Sequence, residues 1–350
     1  SRGSIVGSPI QSMTALISPI GDLKKPVVVV EGVVESTLEK GLLFLQKSPL
    51  RESIAQQLEI LNPRGLMHLN VKFEIPLESQ PLKVEGAISV KNGKLDIPDR
   101  PLSLEQLNGA FQFSQTALNA SNVIAQLGHL PITLNVNTTT IAKQKRLAVT
   151  ASGILSSTFL QQQFPISFLQ KLEGQSSFSL LFNKPLDSTA ADLKTVALKK
   201  ASPISWSLTS DLEGMKINLP CFLGKTKNER VPMTLKIESE IKGERKIALQ
   251  LSKRFDAKLT TTGSRDNLSI KNGHVVLGGG DADWMSKSGL FLSGELEKFN
   301  VDEWFDFFDE LKVKDQKTFP PLNIHLLIGR LEAYGLRFDK TWLSVNFAET

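Results

Sequence analysis

The chain has 350 residues, 41% of them hydrophobic, which is enough apolar content for a substantial core and too much for a disordered segment. Its net charge of +5 is spread along stretches where lysine and glutamate alternate. The longest basic clusters, Lys143–Arg146 and Lys199-Lys200, are short and carry no interleaved aromatics, so no nucleic-acid partner is expected. A single cysteine, Cys221, excludes an intrachain disulfide and a cysteine metal site, and no apolar run reaches the ~20 residues of a membrane helix.

Residues 1–35 are rich in Ser, Gly and Pro, with one β-like run at Pro26–Val34, and read as a connecting strand segment. Ser36 followed by Glu39 forms a capping-box pattern ahead of a helix over 36–46. Leu50, Ile54, Leu58 and Leu61 then recur at helical spacing and predict a second helix over 50–60. From Gly65 the period changes. Leu69, Val71, Phe73, Ile75 and Leu77 alternate with polar residues, as do Val84, Ile88 and Val90, and later Leu130, Ile132, Leu134 and Val136. Period-two alternation marks strands with one buried face. Asn92-Gly93 between two such runs predicts a hairpin turn, and Ser103–Gln106 reads as a short turn of helix before strands resume at Phe111.

A helical insert is predicted over 153–174, with its helix at 156–173 split by Pro165. β alternation returns at Phe178, Leu180 and Phe182 and continues through Ile204, Trp206, Leu208, Met233, Leu235, Ile237, Ile247, Leu249 and Leu251. Lys225–Arg230 reads as a polar loop and Gly278–Gly280 as a tight turn. Val301–Leu311 reads as an amphipathic helix whose Asp302 and Glu303 suit its N-terminal dipole. The expected organisation is a connecting segment (1–35), a first β segment with leading helices (36–152), a helical insert (153–174) and a second β segment (175–350) carrying the helix at 301–311. The nineteen Phe, against one Tyr and four Trp, point inward, since aromatic binding surfaces favour Tyr and Trp.

Enzyme chemistry has no foothold. The four histidines, His68, His129, His274 and His325, lack ligand spacing, and the Gly278–Asp283 run lacks the repeat that would make it a calcium turn. No nucleophile-elbow, phosphate-loop or dinucleotide glycine pattern is present. The carboxylates of 302–310 read as the solvated face of a helix whose other side holds Trp304, Phe305, Phe307 and Phe308. No metal, cofactor or catalytic residue is expected.

Four stretches carry a resemblance. They are Phe44–Leu50 with Gly65–Leu77; Val84–Leu95 with Leu104–Phe113; Ser210–Pro220 with Leu223–Lys225; and Gly289–Leu296 with Val301–Trp304, Ile328–Leu331 and Leu336–Asp339. In this order they resemble the YhdP branch of the AsmA-like proteins of Gram-negative bacteria, relatives of TamB. Cys221 stands where that pattern has proline. The resemblance implies a mainly β fold, a long curled antiparallel sheet forming an elongated apolar groove with short helical inserts. It also implies a bridge-like lipid transfer protein in the periplasm, conducting phospholipids between inner and outer membrane. The inner-membrane tether and the contacts with both membranes would lie outside this chain, which reads as a piece of a longer protein.

Strand counting agrees with a groove. Roughly 16 to 20 strands at ~4.8 Å make a sheet of ~75–95 Å, and open sheets beyond ~10 strands tend to curl. The expected partners are phospholipid acyl chains, with Val71, Phe73, Val84, Ile88, Leu95, Phe111, Phe113, Leu134 and Val136 as the lining. Alternation equally fits a structural β-sandwich, or an assembly factor that offers a sheet edge to outer-membrane proteins.

Overall fold

In a computed structural model of the protein, the described residues are 4–5, 7–18, 26–47, 59, 61–77, 80–97, 102–141, 144–164, 166–186, 204–239, 243–263, 269–311 and 321–347. The fold is mainly β, with nineteen strands among the described residues. The chain divides into two compact units, Ser1–Gly153 with Asn183–Ala201, and Ile154–Phe182 with Ser202–Thr350.

The first unit is an antiparallel meander. Its strands are β1 (Ser4–Ile5), β2 (Ser8–Ser18), β3 (Val27–Thr37), β4 (Arg64–Pro76), β5 (Lys83–Asp96), β6 (Ser103–Ser114), β7 (Leu118–Leu127), β8 (Leu130–Ile141) and β9 (Gln144–Ser156). Each pairs with the next along the chain from β1 to β9, including β3 with β4, which a helix separates in sequence. β3 passes directly into helix α1 (Leu38–Gln46), where the Thr37 hydroxyl, one residue after the expected cap, accepts from the Lys40 amide. The helix predicted at 50–60 falls almost wholly outside the described residues.

Two turn signals in this unit resolve differently from expectation. Asn92-Gly93 makes no hairpin. β5 continues through it to Asp96, and the pair forms a bulge at which the register with β6 shifts. Ser103–Gln106 is strand, not helix, with a second register shift after Glu105. Bulges absorb one extra residue and bend the strand, and here they recur on three neighbours. Asn92, Gln106 and Asn122 all have positive φ, at 49°, 50° and 55°. Asparagine side chains hold them. The Asn108 Oδ1 accepts from the Asn92 amide at 3.1 Å, the Asn108 Nδ2 donates to the Gln106 carbonyl at 2.6 Å, and the Asn135 Oδ1 accepts from the Asn122 amide at 2.9 Å. The residue that usually closes a tight turn here takes the left-handed conformation inside a strand, because a partner strand supplies its hydrogen bond.

The second unit holds β10 (Leu172–Pro185, whose last residues belong to the first unit), β11 (Ile204–Ser210), β12 (Met215–Ile217), β13 (Met233–Ser239), β14 (Arg245–Leu251), β15 (Phe255–Thr262), β16 (Ser269–Leu277), β17 (Gly289–Asn300), β18 (Leu322–Ala333) and β19 (Leu336–Phe347). The expected insert is helix α2 (Ser157–Gln163), capped by the Ser156 hydroxyl, and a 3₁₀ turn at Ser167–Lys171, after which β10 begins. Pro165 lies outside the described residues.

β11 and β13 to β16 pair antiparallel, but β16 to β17 and β17 to β18 run parallel, a departure from the all-antiparallel expectation. Parallel neighbours need a crossover. One is helix α3 (Val301–Leu311), as predicted; the other is 278–288, which begins where a tight turn was expected. The latter is pinned to the sheet. The buried Asp256 carboxylate accepts from the Ala282 amide (3.0 Å), the Lys258 ammonium donates to the Ala282 carbonyl (2.5 Å), and His274 Nδ1 accepts from the Asp283 amide (2.9 Å). His274 Nε2 therefore carries the hydrogen and donates to the Ser293 hydroxyl at 2.8 Å, which leaves that serine unactivated.

Gly294 tests this packing. Its φ is +145°, and an added Cβ would lie 2.0 Å from the Leu277 carbonyl oxygen of the neighbouring parallel strand. At Gly335, φ is +75° but nothing lies within 4 Å. Gly335→Ala is expected to cost about 1–2 kcal/mol, the left-handed penalty alone, whereas Gly294→Ala costs several kcal/mol more because backbone must move. Thermal unfolding of the two variants checks the difference, and equal midpoints would contradict it.

Candidate functional site

Cross-strand partners share a face, so register identifies the apolar surface of each unit. In the first unit one row runs Ile10, Val34, Leu69, Ile88, Phe111, Ala120, Val136, Val149, one residue from each of eight strands. The pairs Phe73–Val84 and Val71–Gly86–Phe113 lie beside it, and Leu134 is opposite Val123. Leu95 joins the same surface as a wall of the cavity described next. The nine residues picked from the sequence therefore converge on one face of one sheet.

That face is mostly closed. Val84, Val71, Leu134, Val136 and Phe113 are buried, and Val34, Met67, Leu69, Val71, Val84 and Phe113 form a core cluster on which Phe73, Ile88, Leu38 and Leu45 pack. The last two belong to α1, so the helix lies over the apolar face. At Gly41 an added Cβ would meet the end of the Met67 side chain at 2.7 Å. Between helix and sheet remains a cavity of about 120 Å³ whose walls are apolar throughout, including Leu42, Phe44, Met67, Ile88, Leu95 and Phe111.

The opposite, polar face of this unit carries a larger hollow of about 710 Å³, bordered by Asn70, Lys72, Glu85, Gln112 and Asn119. The Lys72 ammonium sits 3.0 Å from Glu74 and 3.5 Å from Glu85, and its hydrogen bond holds the Glu74 carboxyl below the usual carboxylate range. An apolar ligand there would strip water from ion-paired groups, so this hollow does not suit one.

In the second unit register aligns three neighbouring apolar rows, none of whose residues is among the nine expected as lining. One runs Leu208, Leu235, Leu249, Ala257, Val275, Leu292, Ile324, Val345. Beside it run Trp206, Ile237, Ile247, Leu259, Gly273, Leu290, Leu322, Phe347 and Met233, Leu251, Phe255, Leu277, Gly294, Leu326, Leu343. This face is less buried than the first, although exposed Met13, Ile17 and Ile75 lie at the margin of the first as well. In the Leu208 row every side chain but Ala257 is half-buried, and Trp206 and Phe347 at the two ends of the next row are 39% and 59% exposed. The signal was present, since Leu235, Ile237, Ile247 and Leu249 alternate as cleanly as Val71 and Phe73. Alternation does not report which of two such faces is covered.

Helix α3 docks through Trp304, stacked on Phe299 at 6.0 Å, and through buried Phe307. Phe305 was expected to turn inward with them but is 59% exposed, one residue beyond the arc that Trp304 and Phe307 can present. Asp306 and Asp309 are exposed, and the Asp302 carboxylate accepts from the Tyr334 amide, a structural role. Lys225, expected in a solvated loop, is 5% exposed with its ammonium donating to the Met215 and Thr226 carbonyls, and burial pushes its pKa down. Cys221 has φ +53°, which a proline ring locked near −65° could not adopt. Its thiol pKa is raised by burial, and it donates to Glu303. Among the described residues no three His, Cys, Asp or Glu side chains group as metal ligands.

Comparison with known proteins gives a consistent result. The family described as YhdP protein matches residues 1–349. The chain is 20% identical over 226 residues to the intermembrane phospholipid transporter YhdP of Escherichia coli K12, an alignment covering 65% of this chain and 17% of that protein's length. No solved structure matches.

The two faces should respond differently to charge. Leu134→Arg, at 7% exposure in the closed face, is expected to lower stability by several kcal/mol. Leu249→Asp, on the half-open face, should cost about 1 kcal/mol or less. Chemical denaturation measures both, and equal losses would show the second face to be as closed as the first.

Proposed function

The chain belongs to the YhdP family, and from that premise we propose that it is a lipid-carrying segment of a longer envelope protein. Its apolar sheet faces shelter phospholipid acyl chains in transit between inner and outer membrane. The reading includes a periplasmic location and an inner-membrane tether supplied by other parts of the protein; among the described residues no helix is long and apolar enough to cross a membrane. No catalytic residue takes part.

The observation that carries this reading is the half-open apolar face of the second unit, continuous over β11 and β13 to β19. At ~0.8 kcal/mol per CH₂, sheltering a ~16-carbon chain is worth ~12 kcal/mol against water. That is about what the chain loses on leaving a bilayer. Near-equality suits a conduit, because a lipid neither avoids the surface nor stays trapped on it. The three rows also give a broad strip in which no side chain is charged, so a chain sliding along it meets no polar step. A sandwich would instead bury such rows beneath a second sheet.

Full-length protein, extracted with organic solvent and examined by mass spectrometry, is expected to carry phospholipid. Leu208→Asp combined with Leu249→Asp should lower the recovered lipid at least tenfold with the unfolding midpoint held within a few degrees. Asp306→Ala and Asp309→Ala should change neither. Absence of lipid from the unaltered protein, or full recovery from the doubly charged variant, would overturn the proposal.

A further inference from the structure

Helix α1 is seated as a cover and not as a core element. None of its residues is buried, although it lies against the core cluster of the first unit's apolar face. A helix that belonged permanently to the core would be packed at crystal-like density with its inner side chains enclosed. Here an apolar cavity of about 120 Å³ persists beneath it. Gly41 faces the flexible end of Met67, where an added Cβ would come within 2.7 Å, and methionine adapts readily to a change of neighbour.

Two of its polar attachments among the described residues are exposed. The Thr37 cap is long, at 3.5 Å, and the Lys40 ammonium reaches the Gly7 carbonyl at 3.3 Å. The junction with β3 is a single residue, Thr37, where extended backbone becomes helix. The side chains that α1 sets against the sheet, Leu38, Leu42 and Leu45, occupy the surface an acyl chain would need to reach Ile88, Phe111 and Leu95.

We infer that the cavity beneath α1 is a gated acyl-chain site, and that α1 is a displaceable cover whose leucines stand in for the lipid when none is bound. The inference rests on the lipid-carrying reading above. The cavity as it stands is far smaller than a whole chain of ~16 carbons, so occupancy requires the helix to lift. Exchange of leucine contacts for methylene contacts is nearly neutral in hydrophobic terms, which lets a lipid compete with the helix without a large driving force. The two units then differ in kind: one face stands open, and the other opens only when a chain displaces its helix.

The test uses the full-length protein, with native cysteines replaced, carrying Gly41→Cys and Met67→Cys. A short thiol-reactive crosslinker joins the pair reversibly, and the probe is a phospholipid with a diazirine in one acyl chain. Joining the helix to the sheet should cut photolabelling of residues 66–113 at least tenfold and leave labelling of 233–259 unchanged, and reduction should restore the first. Equal labelling of 66–113 with the helix joined and free overturns the gate while the lipid-carrying reading stands. No labelling of either region overturns that reading and the gate with it. Unaltered protein supplies an independent measurement in case the double variant folds poorly. Amide exchange over 41–46 should accelerate at least tenfold on adding the lipid, and unchanged protection while 66–113 takes up label also overturns the gate.

Discussion

A β-sheet with one apolar face must cover that face, and the structure turns on how each unit does so. Water against such a surface costs about 25 cal/mol per Å², so a face spanning eight strands cannot remain bare without a reason. The first unit covers its face from within, through inward packing of Val84, Leu69, Val71 and Phe113 and through helix α1 laid across the top. The second unit covers less. Two core clusters form in it, one around Leu172, Leu212, Met215 and Ile217 and one around Leu277, Leu296, Leu326 and Ile328, while the Leu208 row stays mostly half-buried.

The closed face depends on details that lie off it. The bulges at Asn92, Gln106 and Asn122 let Leu107 come opposite Gly93 and Val123 opposite Leu134, which restores the inward phase after each extra residue. Without the asparagine hydrogen bonds these backbone groups would be unpaired inside a sheet, a cost of about 1–3 kcal/mol each. In the second unit the pinned crossover at 278–288 and helix α3 perform the comparable task of bringing β16, β17 and β18 into parallel register. Local polar chemistry thus sets where apolar side chains point, and the apolar face is the surface available for function.

Much of this was legible in the sequence. Period-two alternation gave the β class, and the capping and dipole signals gave α1 and α3 to within two residues. Eight of the nine expected lining residues share one face because parity along a strand survives in the fold; Leu95, at opposite parity to Val84 and Ile88 on β5, joins them only because the bulge at Asn92 shifts the phase. What sequence could not give follows from chemistry that needs a partner strand. Asn92-Gly93 reads as a turn in isolation and becomes a bulge only when Asn108 supplies an acceptor. Parallel pairing at β16 to β18 is decided by two crossovers and leaves no mark in the alternation. The difference in burial between the two faces was invisible for the same reason: Val71 and Leu249 alternate alike, and what packs above each is set by elements elsewhere in the chain.

The central claim, that the open apolar rows carry acyl chains, is tested most directly by placing a photoreactive amino acid at single positions of the second unit in the full-length protein. Leu235, Leu249, Val275 and Ile324 lie on the apolar face, and Lys236, Gln250 and His325 lie on the other face of the same strands. Irradiation in cells, followed by analysis of the adducts, should yield phospholipid at the first set and not at the second. Adducts distributed equally over both faces, or none at the apolar positions, would contradict the account.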